Sequence, residues 1–257
     1  MCQLMGMNCN VPTDIVFSFE GFHRRGGLTG EHADGWGIAF FEEDGWRVFL
    51  DNQPSATSQV ARFVREYPIK SRNVIAHIRK ATQGKVSLAN THPFRRELWG
   101  KEWIFAHNGN LINPPVCRGL RFQPIGSSDS EQAFCWLLDQ ISRQFSAEPS
   151  AEELFPHLKQ WAGQLAASGT LNFLLGWNNI LFAHCSTQLW YITRQAPFTV
   201  AHLSDADLTV DFSEVTTLND RVAVIATQPL TDNEMWTPFG PGELLAFLNG
   251  TLIRVNE

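Results

Sequence analysis

No run of 18 uninterrupted apolar residues occurs in this 257-residue chain, so no segment reads as a helix crossing a membrane. The fullest apolar stretch, 171–183, is broken by Asn172, Asn178 and Asn179. The start lacks a basic segment followed by an apolar one, and a secretory leader is not expected. Long basic patches are missing and the formal net charge is −6, which argues against a nucleic-acid partner. The eight histidines make no His-x-x-x-His or His-Glu-x-x-His pattern, so no metal site is expected. The five cysteines, at 2, 9, 117, 135 and 185, are odd in number and scattered. They form neither zinc-ribbon spacing nor a disulfide framework, and a reducing cytoplasm fits them best. No Gly-x-x-x-x-Gly-Lys loop occurs, and no cofactor is expected. Internal repeats and a domain boundary are also missing.

What is present suits one large α/β domain: 44% hydrophobic residues supply an ample core. Helical spacing of Val60, Phe63, Val64 and Tyr67 predicts a helix ending at Pro68, and 13–23 predicts an earlier one bounded by Pro12 and Gly26-Gly27. Ala133, Phe134, Leu137, Leu138 and Ile141 make a third apolar face. Ser150 and Glu153 have capping-box spacing and open a fourth helix running to about Gly169. Strands are expected at 37–41 and 46–50, joined at Asp44-Gly45. The second half reads mostly as strands, at 172–177, 180–184, 189–193, 222–226, 244–248 and 251–255. Trp177-Asn178-Asn179 and Asn249-Gly250 read as hairpin turns. Segment 204–220 shows no period and reads as a long connection or irregular edge. Many antiparallel strands with intervening helices predict two packed sheets covered by helices, an α/β (α+β) fold.

Cys2 and four polar motifs carry the chemistry. Cys2 follows Met1, so trimming of the methionine would put a thiol and a free α-amine on one residue, the N-terminal-nucleophile arrangement. That amine, with an ordinary pKa of about 7.7–8.0, can act as base near neutrality. Segment 77–82, His-Ile-Arg-Lys-Ala-Thr, follows an apolar stretch and offers Arg79, whose planar fork suits a carboxylate. The plain alternative is a surface ion pair. Segment 90–94, Asn-Thr-His-Pro-Phe, places His92 beside a proline-fixed turn, where a structural role is the alternative. His107-Asn108-Gly109 can supply an amide side chain and a close backbone N–H, the two donors of an oxyanion hole. Against this, Asn-Gly is also a common hairpin dipeptide. Finally, Ser128 and Glu131 have capping-box spacing, which puts Asp129 in a helix's first turn. There it either complements the helix dipole or holds a substrate ammonium.

Together these motifs describe a pocket for an α-amino acid with a γ-acyl group, and the chain resembles the class II glutamine amidotransferases. The initiating Met-Cys, segment 77–82, the 107–109 triplet and the 128–131 run stand in that family's order. Arg25-Gly26 with Asp34-Gly35-Trp36-Gly37-Ile38 looks like the family's glutamine-side loop with an insertion. The resemblance implies Cys2 as nucleophile and base, Asn108 and Gly109 as oxyanion hole, Arg79 on the substrate carboxylate and Asp129 on its ammonium. Thr82, His92 and Arg25 match positions near the bound glutamine. It also implies a four-layer α-β-β-α N-terminal-nucleophile hydrolase sandwich of two antiparallel sheets, with Cys2 opening a central strand. Lys80 replaces an aromatic residue common in synthase members. With segment 91–94 and the run 226–242, it points to the stand-alone YafJ-like branch, whose relatives include hydrolases of other γ-glutamyl amides. The expectation is one glutaminase domain over 2–257 without a synthase domain. Its partners would be a small γ-glutamyl substrate and an optional separate ammonia-accepting protein, with no nucleic acid or membrane. Two alternatives stand beside it: a γ-glutamyl hydrolase with a substrate larger than glutamine, and a catalytically idle amino-acid-binding regulatory subunit. A papain-like protease fits less well, since its nucleophile is internal and needs a separate histidine.

Overall fold

The first strand, β1 (Gln3–Thr13), organises the whole architecture. The computed structural model describes residues 2–81, 84–117 and 119–253. After β1 come α1 (Val16–Arg24), β2 (Trp36–Glu42), β3 (Gly45–Asp51), α2 (Gln59–Glu66) and β4 (Ser71–Ile78). A 3-10 turn at Leu88–Asn90 leads to β5 (Phe94–Leu98) and β6 (Lys101–Leu111), then to the long helices α3 (Asp129–Gln144) and α4 (Ala151–Ala166). The remaining elements begin with β7 (Gly169–Trp177), β8 (Ile180–Cys185), β9 (Trp190–Gln195), β10 (Val200–His202) and β11 (Thr209–Asp211). They end with α5 (Phe212–Val215), β12 (Arg221–Ala226), β13 (Thr237–Pro238), β14 (Glu243–Leu248) and β15 (Thr251–Ile253).

One sheet runs β13-β9-β12-β1-β4-β2-β3 and the other β15-β14-β8-β7-β6-β5, while β10 and β11 form a small separate ribbon. Every pairing among the described strands is antiparallel. Side-chain alternation on each strand then builds three cores. On β1, Met5, Met7 and Cys9 face outward onto Phe19 and Phe22 of α1 and Val64 of α2. Leu4 faces inward to meet Ile104, Leu174 and Leu181 of the second sheet. Phe105 and Phe173 point the other way, onto Phe134 and Leu138 of α3 and Leu158 of α4. The result is a four-layer α-β-β-α sandwich. Burial of each such large apolar side chain favours the layering by roughly 1.5–3 kcal/mol.

The expected hairpins form. Asn249 and Gly250 have φ of 53° and 73° between the paired Leu248 and Thr251. Asn178, at φ 51°, turns β7 into β8. The predicted first helix is shorter than expected, because Thr13 still pairs with Ser71 as part of β1 and the helix begins at Val16. Segment 204–220 is not featureless: it holds β11, α5 and the start of the turn into β12. The last predicted strand is described only to Ile253; the rest of it lies outside the described residues.

Candidate active site

Two strands from different sheets bring the central pair together. Cys2 immediately precedes β1 and shares the inward parity of Leu4, so it faces the second sheet. On β6, Ile104 and Ala106 face inward, and the same parity turns Asn108 toward Cys2. Asn108 Nδ2 donates to the Cys2 carbonyl at 2.6 Å. That contact fixes the amide orientation, since an oxygen there would oppose another acceptor. Asn108-Gly109 is no hairpin turn: it lies inside an eleven-residue strand, paired with Asn172 and Leu171 of β7. Gly109 admits no side chain, because a Cβ would stand 1.9 Å from the Thr170 carbonyl oxygen.

Cys2, Arg79, Lys80, Ala81, His92, His107, Gly109 and residues 128–130 line one small cleft. The structure thus gathers Cys2, Arg79, His92, Gly109 and Asp129, with Asn108 behind them. Cys2 Sγ lies 3.2 Å from the Lys80 N–H and 3.4 Å from the Lys80 carbonyl. Arg79 follows β4 directly and is 4% exposed, its guanidinium donating to the carbonyls of Lys85 and Gly84. Asp34 accepts the Ala81 N–H at 2.8 Å and so pins the same loop. Asp129 opens α3, capped by Ser128, and its Oδ2 accepts the Leu111 N–H at 2.7 Å. The capping box expected at Ser128 and Glu131 is half formed. Ser128 accepts the Glu131 N–H, whereas the Glu131 carboxylate turns to the N–H groups of Ile125 and Gly126 and to Arg96.

Arg25 stands apart from this set. Gln3 has outward parity, opposite to Cys2, and Arg25 meets it on that outer side at 3.4 Å. The guanidinium also pairs with Asp205 at 2.7 Å and donates to the carbonyls of Gln228 and Pro229. Thr82 lies outside the described residues. Other contributors carry weaker sequence signals. Asn172 is a polar residue in an apolar strand, and its amide holds the Asn108 carbonyl at 3.0 Å while its oxygen accepts from Ser186 and Thr187. Asn90 ties the loop at Lys85 to Ser127. Thr227, just past β12, accepts from Leu4 N at 2.9 Å.

Burial governs the electrostatics. It raises the Cys2 thiol above its ordinary pKa, against the Lys80 backbone hydrogen bond and the Arg79 charge, which pull it down. The thiol therefore needs a base before it can attack. Burial also lowers His77 to about 3, helped by His107 and Arg79, and it holds His92 well below its usual value. His107 is lowered by burial too, with Asp129 acting the other way. Its ring nitrogens contact Ser130 at 2.8 Å and the Thr170 carbonyl at 3.0 Å. All three imidazoles are neutral at physiological pH. Among the described residues no group of three or more His, Cys, Asp or Glu could hold a metal ion, and no helix is long and apolar enough to cross a membrane.

Residues 1–257 match the family described as "Glutamine amidotransferases class-II", and the chain belongs to that family. The "Putative glutamine amidotransferase" of Haemophilus influenzae is 53% identical over 253 residues, which make up 98% of this chain and 86% of that protein. The "Putative glutamine amidotransferase YafJ" of Escherichia coli K12 is 51% identical over 251 residues, 97% and 98% of the two chains. A "predicted glutamine amidotransferase" of Pseudomonas aeruginosa PA01, solved at 2.0 Å, superposes with a TM-score of 0.78 at 44% identity, covering 98% of this chain and 100% of its own. The glutamine phosphoribosylpyrophosphate amidotransferase of B. subtilis has a TM-score of 0.62 at 17% identity, over 98% of this chain and 48% of that one. At that identity the likeness is one of fold, the N-terminal-nucleophile sandwich.

Proposed function

We propose that this chain hydrolyses the γ-carboxamide of glutamine or of a related γ-glutamyl compound through a thioester on Cys2. The observation that carries the reading is the meeting of Cys2, Arg79, Gly109 and Asp129 in one cleft, with the Asn108 amide on the Cys2 carbonyl. Once Met1 is removed, the Cys2 α-amine takes the thiol proton and Sγ attacks the amide carbon. Asn108 Nδ2 and the Gly109 N–H hold the developing oxyanion. The amine hands its proton to the leaving nitrogen, and ammonia or a larger amine departs. Water then splits the thioester, giving the free γ-carboxylate and the thiol. Arg79 grips the substrate α-carboxylate and Asp129 its α-ammonium, with Thr82 and His92 beside them. On this reading 2–257 forms a glutaminase domain.

A substrate larger than glutamine is the second reading, and one observation favours it. Lys80, on the cleft wall, is 42% exposed and pairs with the exposed Glu31 at 2.5 Å, so charge borders the pocket. Labelling with a glutamine-mimicking electrophile, located by peptide mass spectrometry, tests the shared chemistry. Label on Cys2, together with glutamate release from a panel of γ-glutamyl amides, is expected, and the preferred amide separates the two substrates. A protein with Met1 intact should release little ammonia until it is trimmed. Equal rates for both forms would sink the α-amine as base, and a trimmed protein inert to label and amides would leave only a binding subunit.

A further inference from the structure

Asn108 is held by contacts that the reaction itself does not explain. Its side-chain oxygen is buried and has no hydrogen-bond partner among the described residues. The amide nitrogen carries both contacts: a short one to the Cys2 carbonyl at 2.6 Å and a long one to Thr227 Oγ1 at 3.3 Å. Thr227 is only 2% exposed. Its hydroxyl also accepts the Leu4 N–H at 2.9 Å, and its own N–H donates to the Leu4 carbonyl at 3.1 Å. One threonine thus stitches the nucleophile's strand to the opposite sheet at the level of Asn108.

An amide nitrogen has two protons. The Cys2 carbonyl holds one firmly, and the Thr227 hydroxyl holds the other loosely. A 3.3 Å contact lies at the weak end of N–H···O bonds, and a charge-assisted bond to an anionic oxygen is roughly twice as strong as a neutral one. The second proton is therefore the one that can pass to an oxyanion. We propose that Thr227 is a positioning residue that aims the Asn108 amide, keeping its second N–H paired at rest and releasing it as the oxyanion forms. The inference rests on the thioester reading above. No atom of Thr227 need touch the substrate, so its effect runs through Asn108.

The experiment is a double-mutant cycle of Thr227→Val and Asn108→Ala, with Thr227→Ser as the conservative variant. Thr227→Val keeps the shape and removes the acceptor. It should lower kcat roughly 10- to 100-fold, because misaiming one donor costs less than losing it, with KM moving less than about threefold. In the Asn108→Ala background the same change should cost less than about threefold more, since its route is already gone. Thr227→Ser should recover most of the rate. Fully additive losses, or a folded Thr227→Ser as slow as Thr227→Val, would overturn the proposal, because a generally loosened structure behaves in that way.

A second readout does not depend on activity. The Asn108 side-chain amide protons are followed by nitrogen-15 NMR, and in Thr227→Val one of the two should shift and exchange faster with solvent. Unchanged Asn108 signals in a folded Thr227→Val protein would overturn the proposal whatever the kinetics show. Should trimmed wild-type protein turn over no γ-glutamyl amide, the functional reading and the oxyanion role both fail, whereas the NMR arm alone reports whether Thr227 holds the amide.

Discussion

His77 and His92 lie with ring centroids 4.1 Å apart and tilted by 39°, both buried, and none of their four ring nitrogens makes a hydrogen bond of ordinary geometry among the described residues. Such rings are held neutral, because the little that the surroundings offer, a His107 backbone group near His77, does not offset the loss of hydration on charging. His77 is held down to about 3 and His92 well below its usual value, while in the unfolded chain both titrate near 6.5. Their neutral forms thus contribute stability that is complete above about pH 6.5. Below that the unfolded chain takes up protons that the folded one refuses, and stability falls by up to about 1.4 kcal/mol per pH unit for each ring. The fall ends only where the folded rings titrate, near pH 3 for His77. Urea melts between pH 7 and pH 4 should show this loss, and His77→Phe should flatten it by about one proton. An unchanged slope in that variant would mean that His77 is protonated in the fold. A second prediction at this scale concerns Asn108→Ala, which should lower kcat roughly 10²–10³-fold as the loss of one oxyanion donor. A change confined to KM, read from steady-state ammonia release, would move Asn108 to ground-state binding. Sequence showed Cys2, Arg79, Asn108, Gly109 and Asp129 as candidates, because each has distinctive chemistry in a local motif. It did not show Thr227, an ordinary threonine whose meaning comes from a partner more than a hundred residues away.

The start of α3 and the start of α4 use the same local device for different ends. Ser150 and Glu153 close a full capping box, each accepting from the other's backbone. Ser128 caps α3 with half of that box, accepting the Glu131 N–H, and the next residue is Asp129, which faces the cleft. Ser128→Ala and Ser150→Ala should each cost about 1 kcal/mol in stability. Only Ser128→Ala should also raise KM, since fraying the first turn of α3 moves Asp129. Thermal unfolding paired with steady-state kinetics checks both; equal KM in the two variants would detach Asp129 from the substrate. Elements with their own period were legible: the apolar face of α3, the box of α4 and the hairpins around Asn178 and Asn249. β1 was legible only through the family resemblance, which implies a central strand opening at Cys2; its own pattern does not show one, because it is buried on both faces and carries Gly6, Asn8 and Pro12, which interrupt any alternation. β10 and β11 are three residues each, too short to display a period. The destination of the Glu131 carboxylate, onto Arg96, was set by a neighbour that local spacing does not reveal.

Across the whole molecule the pocket is divided between two sheets, with Cys2 on one and Asn108 on the other, so their separation depends on how closely the sheets pack. Gly176 sets that spacing locally: a Cβ there would stand 2.8 Å from Trp46 and 2.9 Å from Ile75 of the facing sheet. Gly176→Val should cost roughly 1–3 kcal/mol by overpacking, and it should lower kcat although no atom at Gly176 lines the cleft. Melting temperature and kcat measured together test this, and a destabilised variant with wild-type kcat would show that the site tolerates sheet displacement. The layered class followed from pattern, since alternating strands and amphipathic helices must cover each other's apolar faces. The strand order did not, because it joins segments from opposite ends of the chain. That order also sets a timetable. β1 is flanked by β4 and β12, and its register to β12 runs from Met5 opposite Ala226 to Cys9 opposite Val222. During synthesis at roughly 5–20 residues per second, one edge of the first strand waits on the order of ten seconds or more for its neighbour. Through that interval a ribosome-bound chain exposes a bare, largely apolar strand edge, which invites chaperones or mispairing. A product abandoned before β12 would carry the thiol and every residue that lines the cleft, but neither the strand that covers this edge of β1 nor Thr227 beyond it.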